Sequence, residues 1–429
     1  MMNVIRNFYN TPDKKRIIEN FISLSSLQAV DYILPLITLP YLLRVLGPEK
    51  YGLVAFAYAF ILYFSLISDY GFNLSATREI SINRDQATKK NEIFSSVMFV
   101  KLILMIGGFV LMNVIVFSFV KFSTDWQVYL LSFGIVIGNM LFPLWFFQGM
   151  EKMKYITILN IIAKIIFTIC IFIFIKKEDD YLLVPTLNSL GFIISGILGL
   201  YVVFSKFKIK IICPNKNLIK HQFIEGWHVF ISTISISLYT VSNTFILGLF
   251  TNNIIVGYFS VAEKITKAAQ GVFTPISQAV YPYISKLVAE SKEKAMMFIK
   301  KIIIIMGGLA ALISLFLLLF ANPIIVLLSG NQYLSAINVL RILSFLPFLI
   351  ALSNIFGIQI MLNFGLKKSF SRILIGAGLV NIVLSIILVP FLQEIGTSLA
   401  VLISEFFVTL TMFIVLEKKG IKAWKGKII

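Results

Sequence analysis

Ionisable side chains occur in this sequence where it is otherwise apolar. Asp31, Glu263 and Glu405 lie near the middle of long hydrophobic runs, Lys101, Lys164, Lys264 and Lys267 lie at comparable depth, and Arg341 lies nearer one end of its run. A charge in the middle of a bilayer costs about 2.5–3.5 kcal/mol on insertion scales, so such groups face a protein interior or a water-filled cavity. The two signs suit two chemistries. Cations lining a cavity replace the water and counter-ions that an anionic group loses in a low-dielectric medium. Buried carboxylates exchange protons or cations as their surroundings change, which makes Asp31, Glu263 and Glu405 candidates for coupling to H+ or Na+. The competing assignment is internal pairing, as between Glu263 and Lys267, which stand four apart in the favourable helical order. Four deep lysines against three acids argue against complete neutralisation. Arg44, Asp69, Arg78 and Glu79 lie close to polar connections, where charges snorkel or face a loop; they are gate candidates, with Arg78 and Glu79 as a pair.

Uncharged polar residues extend the pattern. Ser25, Gln28, Asp31, Tyr32, Pro35 and Thr38 recur at helical spacing, as do Ser232, Ser235, Tyr239 and Ser242, and Glu263, Lys267, Gln270 and Thr274. Such stripes place polar groups on one face of a helix and suggest that three helices line a shared cavity between two halves. The alternative is that the hydroxyls and amides hold helices together by interhelical hydrogen bonds.

The elements that must position these groups are transmembrane helices. A mean hydropathy of +0.91, with 58% hydrophobic and 14% charged residues, is the composition of a multi-spanning membrane protein. Apolar runs near 22–43, 52–68, 94–119, 128–149, 155–175, 181–204, 227–250, 254–285, 299–328, 336–362, 371–391 and 395–416 predict an all-α membrane protein of twelve transmembrane helices. The first 20 residues lack a short apolar region followed by a cleavage site, so the first span is expected to direct insertion. Interior prolines (Pro35, Pro40, Pro143, Pro185, Pro275, Pro282, Pro347) predict bent or broken helices.

Lysine and arginine concentrate at the N-terminus, in the even-to-odd connections and at the C-terminus. The opposite connections hold Arg44, Lys50, Lys121, Lys176 and Lys177. By the positive-inside rule both termini are cytoplasmic. The net charge of +18 therefore reflects topology and attraction to anionic inner-leaflet lipids, and no nucleic acid partner is expected. Cys170, Cys213 and the two histidines lack metal-ligand spacing, so neither a metal nor another cofactor is expected. The basic stretch SKFKIKIICPNKNLIKHQF splits the chain into a six-helix bundle at 1–204, a cytoplasmic linker at 205–226, a second bundle at 227–416 and a basic tail at 417–429. Gly52 after Leu46-Gly47, and Gly257 after Leu247-Gly248, support a parallel duplication of the two bundles.

Three blocks carry a family likeness: QAVDYILPLITLPYLLRVLGPEKYGLVAFAYAF near the start, PLWFFQGMEKMKYIT at 143–157 and FILGLFTNNIIVGYFSVAEKI at 245–265. They resemble the bacterial O-antigen and capsule repeat-unit flippases (Wzx-type), in the polysaccharide branch of the MATE-like MOP exporter superfamily. The resemblance implies a multi-pass protein of the bacterial inner membrane that moves an undecaprenyl-pyrophosphate-linked oligosaccharide, a unit of O-antigen lipopolysaccharide or a similar polymer, to the periplasmic leaflet by alternating access. It implies as partners the lipid-linked cargo, membrane lipids, and the pathway's polymerase and glycosyltransferases. On this reading Lys101, Lys164, Lys264, Lys267 and Arg341 bind the cargo's pyrophosphate. A MATE-like exporter of cationic drugs is the transport alternative, and it would favour an acid-dominated cavity. A membrane polymerase or glycosyltransferase would be expected to carry catalytic carboxylates on a long outward loop. Here the outward connections are short, so no enzyme is expected.

Overall fold

The computed structural model describes residues 12–240, 242–424 and 426–428. Within the expected polar stripes, the side chains of Ser25, Tyr32, Ser232, Ser235 and Tyr239 lie outside what is described. Among the described residues, eight helical stretches are long and apolar enough to cross a membrane. Two are too long for a single crossing. Ser26–Ile82 has 57 residues and Lys367–Lys418 has 52, whereas about 20 residues rising 1.5 Å each traverse a ~30 Å hydrocarbon core. Each breaks internally. The first helix, α1 (Pro12–Asp69), kinks at Gly47, whose φ of 65° suits glycine, just before Pro48. The last helix, α17 (Lys367–Lys418), kinks at Gln393, with φ 48°. The expected spans at 227–250 and 254–285 are helical, in α9 (Lys216–Thr240), α10 (Ser242–Phe250), α11 (Asn253–Gly271) and α12 (Phe273–Glu290). They are not among the eight apolar stretches: Ser242–Phe250 is only nine residues long, and polar and charged residues, including Glu263, Lys264 and Lys267, lower the hydropathy of α11.

The chain forms two compact units, Met1–Thr38 with Ala57–Ile234, and Leu39–Phe56 with Ser235–Ile429. In the first unit α1 ends at Asp69, where Tyr70 (φ 46°) and Gly71 (φ 78°) turn the chain into α2 (Phe72–Ile82). α3 (Ala87–Ser118), α4 (Val120–Ser123), α5 (Trp126–Leu141), α6 (Leu144–Gly149), α7 (Met153–Phe174) and α8 (Leu183–Lys206) follow. α5 and α6 are one expected span broken at Pro143. Phe72, Phe94, Trp145, Phe146 and Phe147 are buried together as its aromatic core. α5 lies against α8 through glycine: a Cβ at Gly138 would come within 2.4 Å of the Phe192 backbone.

The basic connection is shorter than the sequence suggests. α8 runs to Lys206 and α9 begins at Lys216, because the Asn215 side chain accepts the Leu218 N–H at 2.8 Å and caps the helix.

The second unit adds α13 (Lys292–Leu319), α14 (Ala321–Ser329), α15 (Ala336–Leu343) and α16 (Leu346–Asn354), the last continuing as a π-helical segment Ile355–Leu362. Its core gathers Met296, Ile299, Met306, Ile355, Phe356 and Met412. The basic tail forms a minimal strand pair in an otherwise all-α fold. Ile421–Lys422 pairs antiparallel with Lys427–Ile428, and Ile421 and Ala423 are buried in the same core, since apolar side chains there favour docking over solvent.

Candidate functional site

In the second unit α10, α11, α15, α16 and α17 surround a cavity of about 140 Å³. Glu263, Thr266, Lys267 and Gln270 line it from α11, with Asn243 from α10 and Asn381, Ser404 and Glu405 from α17. α15 and α16 contribute only Leu343, Leu346 and Ile350. The i, i+4 spacing brings Lys267 Nζ 2.8 Å from Glu263 Oε1. Thr244 Oγ1 donates to Glu263 Oε2 at 3.4 Å. The lysine side chain is 55% exposed and its acid 19%. Across the same cavity the Glu405 carboxylate has no hydrogen-bond or ion-pair partner among the described residues, and Asn381 Oδ1 is a buried acceptor without a donor. Thr266 and Ser404 satisfy their hydroxyls on their own helices, through the carbonyls of Ala262 and Ala400. Two acids thus face one base.

The other cations of this unit lie elsewhere. Lys264 is rotated off the cavity face, and its ammonium sits 5.0 Å from the centre of the Tyr51 ring, a cation–π contact. Arg341 is exposed on α15 and donates to Asn338 Oδ1 at 3.5 Å. Arg44 donates to the Leu327 carbonyl near the end of α14, which places this gate candidate at a helix C-terminus.

In the first unit several of the predicted charges are paired. Lys101 is 2% exposed; its ammonium lies 3.3 Å from Asp69 Oδ1 and donates to the Asn139 carbonyl at 3.2 Å. Asn73 Nδ2 donates to the second Asp69 oxygen at 2.5 Å. Lys101, expected as a cavity cation, and Asp69, expected at a gate, are therefore joined inside the bundle. Lys164 is paired with Asp31, and both side chains are half-exposed, at 35% and 42%. Arg78 and Glu79 do not pair, because adjacent helical residues diverge by about 100°. Glu79 instead accepts Gln222 Nε2 and meets His221 Nε2, each at 2.9 Å. Tyr70 packs on the same helix, stacking on Phe230 at 4.7 Å. Arg78 is exposed on α2.

Sequence reasoning did not single out Asn243, Asn381 or Ser404. The apolar spacing of their helices could have shown Asn381 and Ser404 to be inward-facing, but not that they share a cavity. Nor did it find the Arg84–Glu151 ion pair at 2.9 Å, which links residues far apart in sequence.

The chain is similar to known proteins in sequence and in fold. The profile of a family described as "Polysaccharide biosynthesis protein" matches residues 17–288. The chain is 36% identical over 393 residues to a protein of Escherichia coli (strain K12) named "Putative O-antigen transporter", covering 92% of this chain and 95% of that one. It is 31% identical over 395 residues to a Shigella dysenteriae protein of the same name, covering 92% and 98%. Among solved structures it is similar to a multidrug resistance MATE family transporter of the MOP superfamily in an inward-facing conformation, with TM-score 0.71, 15% identity and 92% and 96% coverage. It is similar also to lipid II flippase MurJ in an inward closed conformation, with TM-score 0.68, 16% identity and 93% and 87% coverage. At such identities these two likenesses concern the fold alone.

Proposed function

The chain belongs to the polysaccharide biosynthesis protein family, and on that premise we propose that it is a multi-pass flippase of the bacterial inner membrane. It carries a polyprenyl-diphosphate-linked oligosaccharide, an O-antigen or related repeat unit, from the cytoplasmic to the periplasmic leaflet. The observation that carries this reading is the nearly full-length similarity to two proteins named as O-antigen transporters. It is a carrier's role and requires no bond making. Glycosyltransferases that build the unit act before it, and a polymerase acts after it.

Side-chain exposure supports assigning two of the cations to the cargo. Lys267 and Lys164 are the deep lysines that combine half-exposed side chains with a single carboxylate partner, so their ammonium groups can reach an anionic head group. Lys101 is enclosed, Lys264 sits over the Tyr51 ring, and Arg341 donates to Asn338. Glu405, with the Asn381 acceptor nearby, is the candidate for coupling transport to H+ or Na+. Asp31 and Glu263 already hold lysines. The two-acid cavity also suits a cation, and this keeps export of cationic drugs as a second reading.

The test is restoration of surface polysaccharide in a flippase-null strain, with the membrane abundance of each variant measured in parallel. Lys267→Arg is expected to retain partial display, Lys267→Ala little and Lys267→Glu least, with lipid-linked units accumulating on the cytoplasmic side. Normal display from well-inserted Glu variants at both Lys267 and Lys164 would refute the role of these lysines. Drug efflux without any restoration of display would favour the second reading.

A further inference from the structure

The paired lysines of this protein are of two kinds. Lys101 is enclosed and bonded to both Asp69 and a backbone carbonyl, so its pairing belongs to the fold. Lys267 is more than half exposed, on a flexible four-carbon stem, and holds a carboxylate of its own helix. An ion pair so exposed is weakly held, and the ammonium can change partner at little cost. Glu263 is differently placed. It is 19% exposed, and Thr244 Oγ1 donates to the carboxylate oxygen opposite the one that Lys267 contacts. If the lysine swings away, the acid keeps a hydrogen-bond donor and stays in position. The first unit repeats the half-exposed type, with Lys164 on Asp31.

Resting on the reading that Lys267 contacts the anionic head group of the cargo, we propose that Glu263 is a tethered stand-in for that head group. Its carboxylate occupies the Lys267 ammonium while the carrier is empty. The cargo's diphosphate displaces it on binding, and it recaptures the ammonium when the cargo leaves. The need is electrostatic. A carrier that has released its cargo must return through an occluded state, and a bare ammonium in a low-dielectric enclosure is strongly disfavoured. A counter-charge four residues away removes that barrier from the empty return step. In the loaded step the diphosphate neutralises the lysine, and the Thr244 hydroxyl remains hydrogen-bonded to the displaced Glu263 carboxylate. Glu263 is therefore a positioning residue for the empty carrier and not a ligand of the cargo.

This assignment separates two transport modes. Exchange of cargo between leaflets never passes through the empty carrier, whereas net translocation passes through it in every cycle. The full-length protein, reconstituted in liposomes, is tested with a polyprenyl diphosphate bearing one fluorescent sugar, read by leaflet-selective quenching with and without unlabelled probe in the opposite leaflet. Glu263→Gln is expected to retain at least half of wild-type exchange, to fall to about a tenth or less in net translocation, and to bind the probe up to about fivefold more tightly, because a weak competitor for Lys267 is gone. Glu263→Asp, which restores the charge, is expected to recover net translocation at the same abundance and so to exclude misfolding. Equal losses of exchange and net translocation in Glu263→Gln, or no loss of either, would overturn the stand-in role. Lys267→Gln serves to test the underlying reading separately: unchanged probe binding in that variant would overturn cargo contact at Lys267 itself, whatever Glu263 does.

Discussion

Gly52 and Gly257 meet backbone to backbone. A Cβ on Gly52 would lie 2.7 Å from the Gly257 nitrogen and 1.8 Å from the Asn253 carbonyl oxygen, and one on Gly257 would lie 2.3 Å from the Pro48 oxygen. The turn between the first two spans is thereby seated on α11, the helix that carries Glu263 and Lys267. Neither neighbour is a flexible side-chain tip that could give way.

Alanine at either glycine is therefore expected to destabilise the protein by at least the 1–3 kcal/mol of ordinary overpacking, roughly, because main chain must move. Gly107→Ala and Gly308→Ala, where a Cβ meets nothing within 4 Å, are the controls and should be neutral. Thermal unfolding followed by size-exclusion of the detergent-solubilised protein measures the difference. A normal midpoint for Gly52→Ala would refute this close approach.

Lys101 and Lys267 should respond oppositely to neutralisation. Removing one member of an enclosed ion pair leaves an uncompensated charge and costs about 3–5 kcal/mol, so Lys101→Met is expected to lower membrane abundance and thermal stability. Adding Asp69→Asn should recover part of that loss. Lys267→Met, on an exposed pair, should leave abundance unchanged while impairing display. Equal abundance of the two variants would remove the distinction between a lysine of the fold and a lysine of the cargo.

Among the described residues the Glu405 carboxylate has no hydrogen-bond or ion-pair partner, and it lines the cavity, which makes it the acid whose loss should alter energetics without altering the fold. Glu405→Gln is expected to accumulate normally and to flip the fluorescent probe at a rate that no longer responds to an imposed pH or Na+ gradient. Two series distinguish the ion, one varying pH at constant Na+ and one replacing Na+ with choline at constant pH. Retention of the full gradient response by this variant would refute its coupling role.

Topology is open to direct labelling. Lys216 begins α9 and Asn252 caps α11, both are exposed, and the charge asymmetry puts them on opposite sides of the membrane. In intact cells an impermeant thiol reagent is expected to label a single cysteine at 252 but not one at 216, in a background lacking Cys170 and Cys213. Labelling at 216 would reverse the orientation and with it the direction of transport.

The sequence by itself determined the class of molecule, because hydropathy and basic-residue placement are properties of local composition that no packing can undo. It determined, too, that Asp31, Lys101, Lys164, Glu263, Lys267 and Glu405 needed a protein or aqueous environment. For the one pair lying within a helical turn, Glu263 and Lys267, it specified the partner as well, since i, i+4 neighbours meet in any helix. Longer-range partners were beyond it. Asp69 takes Lys101, Asp31 takes Lys164, and Glu79 takes His221 and Gln222 and not the adjacent Arg78, because helix rotation and approach decide which face meets which. Only the tertiary structure brought Asn243, Asn381 and Glu405 around the Glu263–Lys267 pair, giving a cavity with two acids and one base. A sequence lists charges along a line, but the sign of a cavity depends on which of them are consumed in pairs before they reach it.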